Sequence, residues 1–440
     1  MTMAKKVVLG EVLADFHART LPPLTTRDIA FEILPTKILT LTGVRRSGKT
    51  YCLYQLMHRL LAEGVPKENL VWVNFEDERL VPMMAAELGL ILEVYFERYP
   101  EKQRERIYLF LDEIQNVEGW ERFARRVHES ENVQLFLTGS SAKLLSREIA
   151  TSLRGRTLNY EIFPFTFAEY LRHRGIPPNA RSRAEKTALR NASAAYLDRG
   201  GFPETVTASE TAWRMILQEY VNLIIFRDVV ERHGVRNQAL IKYLVKCLLR
   251  QIAAPMTVHK LYRDLRSQGY TVGKDTLHCY LSYFEEAYSF FTVPIFSESV
   301  RMQEVNYRKL YTVDTGLTNA VVAGLSERRG QMLENSVFLH LCRLPGRGLF
   351  YYRNQRGAEI DFVILQRGRV TDVIQVTEHL DNASSAEQVV DDLWRAMEEL
   401  RCAEAVIVTR DTEKELRKAR KVIRVIPLWK WTLELSGAIR

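Results

Sequence analysis

The chain has 440 residues, 46% of them hydrophobic and 26% charged. That is globular composition with room for about three domains, and it excludes a disordered tail or a low-complexity protein. Sixty-two Lys plus Arg against 54 Asp plus Glu leave a net charge of +8, too mild for a polybasic, histone-like chain.

The five cysteines, Cys52, Cys247, Cys279, Cys342 and Cys402, never form a CxxC pair, which argues against a disulfide framework and against a zinc site. Lys5 and Lys6 precede an apolar stretch of three residues, too short for a signal-peptide core. No apolar run approaches the roughly 18 residues of a membrane span. The expectation is a cytoplasmic protein with no membrane partner.

In chain order, short apolar runs at Ile38 to Leu41, Leu70 to Phe75, Ile107 to Leu111, Val133 to Leu137 and Leu158 to Phe163 predict strands. Amphipathic helical segments lie between them, as in a parallel sheet covered by helices. This α/β block closes near Phe165, giving a first domain over residues 1–165. Residues 166–330 turn helical, with a long 3.6-residue pattern over Trp213 to Val230 and a turn at Gly200-Gly201-Phe202-Pro203. Residues 331–440 open with a helix over Leu333 to Leu344. Strands follow at Leu349 to Tyr352, Glu359 to Leu365 and Val370 to Val376, then a helix over Ala386 to Leu400 and a strand at Ala405 to Thr409, a second α/β domain.

The first strand runs into Gly43-Val44-Arg45-Arg46-Ser47-Gly48-Lys49-Thr50 and then a helix, matching G-x-x-x-x-G-K-S/T in the strand-to-helix setting that a phosphate-binding loop requires. Gly43 and Gly48 let the backbone N–H groups of Arg45, Arg46 and Ser47 curl round phosphate oxygens. Lys49 reaches the terminal phosphates, and the Thr50 hydroxyl ligates Mg²⁺. The run Ile107 to Leu111 ends in Asp112-Glu113, two acids at the carboxyl end of a strand, where open α/β sheets bind ligands. Asp112 would hold Mg²⁺ through water, and Glu113 would act as base on the attacking water. The next strand ends in Thr138-Gly139-Ser140-Ser141. These hydroxyls suit either a γ-phosphate contact or an ordinary strand-to-turn junction. Arg154-Gly155-Arg156 suits either a cation against the transferring phosphate or a solvated surface.

The loop GVRRSGKT, the strand YLFLDEIQ, the segments LTGSSAKLLS, SLRGR and FPFTFAEYL and the turn GGFPE resemble, in this order, a group of bacterial and archaeal P-loop ATPases related to the AAA+ and STAND classes. The resemblance covers nearly the whole chain. It implies an ATPase core, a winged-helix region, and a C-terminal domain similar to restriction-endonuclease-like folds. It also implies that Lys49, Thr50, Asp112 and Glu113 form the ATP and Mg²⁺ site, with Ser140 as sensor and Arg154 or Arg156 as arginine finger.

In the middle, Met256 to Arg266 and Lys274 to Tyr288 flank the turn Ser267-Gln268-Gly269-Tyr270 and read as a helix-turn-helix, with Phe290 to Tyr311 supplying a wing. Leu277, Tyr280, Leu281 and Phe284 make one apolar face, which leaves Lys274, Thr276, His278 and Ser282 outside it. If DNA is bound, residues 238–315 are the place to look, but the resemblance also implies a lid or relay between domains, and that structural role is favoured over sequence-specific recognition because a base-reading helix ordinarily offers more Arg, Asn or Gln. The whole charge excess supports this location: residues 1–165 are neutral, 166–330 carry +7 and 331–440 carry +1.

A nuclease of PD-(D/E)XK type needs acids converging on Mg²⁺ and a lysine that orients water. Glu334, Glu359, Asp361 and Gln375 fit the acidic part of that pattern, but Thr377 stands where the lysine belongs. The expectation is a degenerate centre. The favoured reading is thus a nucleotide-driven ATPase switch associated with DNA. The alternatives are an ATP-regulated Mg²⁺-dependent DNA nuclease and a non-catalytic DNA-binding regulator. An arginine finger acting from a neighbour would require a homo-oligomer or another protein partner.

Overall fold

The computed structural model describes residues 2–140, 153, 155–179, 181–297, 299, 308–322, 328–380 and 383–437. The chain divides into two compact units, Met1–Phe163 with Glu286–Tyr288, and Pro164–Glu285 with Ser289–Arg440.

Unit 1 is built on strands β1 (Ile38–Thr42), β2 (Leu70–Asn74), β3 (Ile107–Asp112), β4 (Val133–Gly139) and β5 (Thr157–Glu161). They form one sheet in the order β2-β3-β4-β1-β5, parallel throughout. Successive side chains point to opposite faces, and each face has its own apolar layer. Ile38, Val71, Leu109 and Leu135 pack with the helices Thr2–Ala18, Gly89–Arg98 and Glu121–Ser130. Leu39, Leu41, Phe110 and Phe136 pack with Leu53, Leu56 and Leu60 of the helix Lys49–Ala62, and the rings of Phe110 and Phe136 stack at 4.4 Å. Burial on both faces is why β1 to β4 read as nearly continuous apolar runs. The α/β parallel-sheet expectation is met.

Unit 2 holds both the middle region and the C-terminal region. Its first helices, Phe167–His173 and Arg183–Arg199, start at capping boxes of Thr166 with Glu169 and Ser182 with Glu185, which satisfy otherwise unpaired N–H groups. The expected Gly-Gly turn follows. Gly201 donates its N–H to Asp314 at 2.6 Å, and Gly200, at φ 79°, has no room for a Cβ, which would stand 1.9 Å from the Asp314 carboxylate. The helix Glu210–Leu223 continues into a wider, π-type turn over Ile224–Glu231. There Arg227 pairs with Glu231 and Asp228 with Arg232, each about one helical turn away.

The helices Val258–Ser267 and Lys274–Glu286 then pack beside a three-stranded antiparallel sheet, in the order β6 (Pro255–Met256), β8 (Arg308–Thr312), β7 (Phe290–Val293). Leu277 and Phe284 of the second helix are buried, while Lys274, Thr276, His278 and Ser282 are exposed. The C-terminal sheet comprises β9 (Gly348–Arg353), β10 (Glu359–Gln366), β11 (Arg369–Val376), β12 (Glu404–Thr409), β13 (Lys414–Lys418) and β14 (Lys421–Pro427), in the order β13-β14-β12-β11-β10-β9. Strands β11, β12 and β14 are mutually parallel and the remaining pairings are antiparallel. The helix Arg329–Leu341 ties this region to the three-stranded sheet, because Asn335 bonds both the N–H and the carbonyl of Thr312, at 2.8 and 3.1 Å.

Candidate functional site

The helix Lys49–Ala62 begins at Gly48 in a left-handed conformation without a side-chain cap, so its first N–H groups face the loop Gly43–Lys49, an arrangement that favours anions. Gly43 has φ 144°, and a Cβ there would stand 2.1 Å from the Ile162 carbonyl oxygen, so only glycine fits where β1 leaves the sheet beside β5. The Lys49 ammonium is buried and donates to the carbonyls of Gly43 and Val44 at 3.2 and 3.1 Å. Arg45 and Arg46 lie nearer solvent, and Arg45 approaches Glu76 at 3.6 Å. The Ser47 hydroxyl is buried with no hydrogen-bond partner among the described residues. A buried lone hydroxyl and uncapped amides in one loop fit a phosphate.

Asp112 and Glu113 end β3, with β4 between them and β1. Thr138 of β4 joins the two acids: its hydroxyl donates to Asp112 and accepts the Glu113 N–H, the latter at 2.9 Å. Burial pushes the Asp112 carboxyl up to about 6, while the Thr138 hydroxyl holds it down, the neighbouring Glu113 charge raises it, and the Thr50 hydroxyl and Lys49 ammonium lower it. Glu113 takes a left-handed φ of 53°, uncommon for a residue with a Cβ and concentrated at functional sites. Its carboxylate accepts from Gln115 and lies 3.7 Å from the Lys49 ammonium. Ser140 is buried, and Gln115 reaches its hydroxyl at 3.4 Å. Lys49, Thr50, Asp112, Glu113 and Ser140 are thus gathered at one end of the sheet.

Arg156 is not part of this group. It precedes β5 at the opposite end of the sheet, where its carbonyl accepts the Ile38 N–H, and its side chain pairs with Glu129 at 2.7 Å. Arg154 lies outside the described residues. Arg27, which carries no motif, is the residue that sequence reasoning missed here. Buried, it donates to the carbonyls of Ser47, at 2.9 Å, and Phe163.

A family model described as an AAA domain matches residues 35–171, and two models described as domains of unknown function match residues 190–329 and 329–431. An uncharacterized protein of Methanocaldococcus jannaschii, MJ1544, is 35% identical over 98% of this chain and 96% of its own length. The chain belongs to the family of this protein. An uncharacterized protein of Haemophilus influenzae is 30% identical over 70% of this chain and 74% of its own length. Among solved structures, the Aeropyrum pernix ORC1 protein in complex with DNA covers 72% of this chain and 91% of its own at 16% identity, with a TM-score of 0.29, too low to carry an argument. Residues 35–171 form a P-loop domain of AAA type. Among the described residues, no helix is long and apolar enough to cross a membrane.

The C-terminal region contains a second centre. Glu334 of the helix Arg329–Leu341 and Glu359 and Asp361 of β10 converge as expected, and Gln375 accepts the Asp361 N–H at 3.4 Å. Thr377 is turned away, and its hydroxyl bonds the His379 carbonyl. The cation in this centre is Lys309 of β8, whose ammonium lies 2.9, 2.8 and 2.7 Å from Glu334, Glu359 and Asp361. Those oxygens are committed to an ammonium, so the residues present do not fit a divalent metal. No sequence pattern links Lys309 to acids carried by other elements.

Proposed function

We propose that this protein is an ATP-hydrolysing switch whose AAA domain binds and cleaves ATP. The observation that carries the reading is the approach of Glu113 to within 3.7 Å of the Lys49 ammonium, which sets a carboxylate base beside the residue that meets the terminal phosphates. Thr50 and Asp112 would hold Mg²⁺, which supplies charge neutralisation on the phosphates. Lys49, anchored by two carbonyls, meets the phosphates without reorganisation. Glu113, fixed by Gln115 and by the Thr138 contact to its N–H, takes the proton of the attacking water as that oxygen bonds to the γ-phosphorus and ADP leaves. Calorimetry and phosphate release test this. Lys49→Ala should weaken ATP binding at least about tenfold, and Glu113→Gln should retain binding while losing about 100-fold or more in hydrolysis. Unchanged ATP affinity in Lys49→Ala would overturn the reading.

A second observation favours association with DNA. The helices Val258–Ser267 and Lys274–Glu286 with the strands β6, β7 and β8 support a winged-helix reading, and the exposed Lys274, Thr276, His278 and Ser282 share one helix in the region carrying the +7 excess. DNA affinity that falls steeply with salt, and falls further in Lys274→Glu, would support this reading. Salt-insensitive binding would remove it.

A further inference from the structure

We infer that the acidic centre of the C-terminal region is a cation site filled by the chain's own Lys309, and that it takes a divalent metal only when this ammonium is removed. The Lys309 ammonium lies 2.9, 2.8 and 2.7 Å from one oxygen each of Glu334, Glu359 and Asp361, and donates hydrogen bonds to Glu334 and Asp361. The oxygens come from two elements and meet at one point, which is how hard cations are held. A metal at that point would sit about 2.1 Å from the same oxygens, so ammonium and metal exclude one another.

The outward oxygens of Asp361 and Glu359 are also occupied. Asp361 Oδ2 accepts the Val376 N–H at 2.8 Å and Glu359 Oε2 accepts from Arg353 at 3.3 Å, while the Tyr311 hydroxyl donates at 2.7 Å to the same Glu334 Oε1 that meets the ammonium. Two cations, Lys309 and Arg353, therefore face three carboxyl groups. Lys309 is also held from behind. Its side chain is 1% exposed, and its backbone is in the central strand β8, opposite Pro255 on one side and Val293 on the other. Among the described residues, no group of His, Cys, Asp or Glu is placed to hold a metal ion. Removing a buried ammonium leaves its partners uncompensated, and the cheapest replacement is another cation.

The test is Mn²⁺ binding by the full-length, nucleotide-free protein, read by calorimetry and by thermal unfolding, so that no activity enters. Wild type and Asp361→Asn should bind the same number of Mn²⁺ ions. Lys309→Met should gain one Mn²⁺ per chain, at least about tenfold tighter than any wild-type site, with a rise in Tm on adding Mn²⁺. The double variant Lys309→Met/Asp361→Asn should lose that gain. A wild-type Mn²⁺ site that disappears in Asp361→Asn would overturn the inference, as would a folded Lys309→Met that gains none. If Lys309→Met does not fold, wild type against Glu359→Gln decides: equal Mn²⁺ stoichiometry supports the inference, and loss of one ion per chain in the variant defeats it.

Discussion

Arg27 donates from its guanidinium to the carbonyl oxygen of Ser47 at 2.9 Å, linking the segment before β1 to the middle of the phosphate loop. The same side chain bonds Phe163 just beyond β5, so one buried cation braces the loop against the end of the sheet. Hydrogen bonds to a charged partner contribute roughly 1.5–3 kcal/mol each. Arg27→Met should therefore lower ATP affinity about tenfold and lower Tm, whereas a mutation of exposed Arg46 should leave Tm unchanged. Calorimetry with thermal melts separates these outcomes.

Thr138→Val removes one hydroxyl that serves both acids. The Asp112 carboxylate loses a donor, and the buried Glu113 N–H loses its acceptor, at a cost of about 1–3 kcal/mol. Because Glu113 is then free to turn from its left-handed backbone, hydrolysis should fall at least about tenfold more than ATP affinity does. Parallel losses in both would show that Thr138 serves binding alone.

Gly43→Ala places a methyl group 2.1 Å from the Ile162 carbonyl oxygen at φ 144°, a region that costs a residue with a Cβ about 1–3 kcal/mol even without the clash. Loss of ATP binding together with a lower Tm is expected. Gly64, also at positive φ but with nothing nearby, should tolerate alanine with only the conformational penalty, and serves as the control.

Two buried groups in unit 2 give opposing pH dependences. Burial, with Arg343 nearby, pushes the His340 ring down to about 3; it stays neutral, accepting from the Phe167 N–H and bonded to the Ser336 carbonyl. Burial pushes the Asp314 carboxyl up to about 7, against the Gly201, Gly316 and Leu317 N–H groups and Arg343, which hold it down. For His340 the unfolded chain binds the extra proton between about 3 and 6.5, so stability falls as pH falls through that window. For Asp314 the folded chain holds the extra proton between about 3.9 and 7, so stability falls as pH rises. Each slope is at most about 1.4 kcal/mol per pH unit. Asp314→Asn removes the second contribution, and its stability in urea melts from pH 4 to 6.5 should rise with pH more steeply than that of wild type.

Strands β1 to β4 and the phosphate loop were legible because two-sided burial writes continuous apolar runs and because the loop chemistry admits few residue types. The edge strand β13 was not expected: Lys414–Lys418 is mostly exposed and charged, with no apolar period to detect. Arg156 is a different case, since its motif was visible but its place at the far end of the sheet, set by the direction of β5, depends on strand pairing. Arg27 and Lys309 are long-range partners. Lys309 stands 52 residues before Asp361, in a separate sheet, and no local pattern records such a meeting.

The interposed strand β4 has a mechanical consequence. With β4 between β1 and β3, the loop and the acids are two strand spacings apart, about 9.6 Å, so the sheet acts as a ruler between the group that grips and the group that reacts. Deleting one residue from β4 would leave the ruler's length unchanged but turn Thr138 to the opposite face. Core repacking above or below the sheet would alter neither.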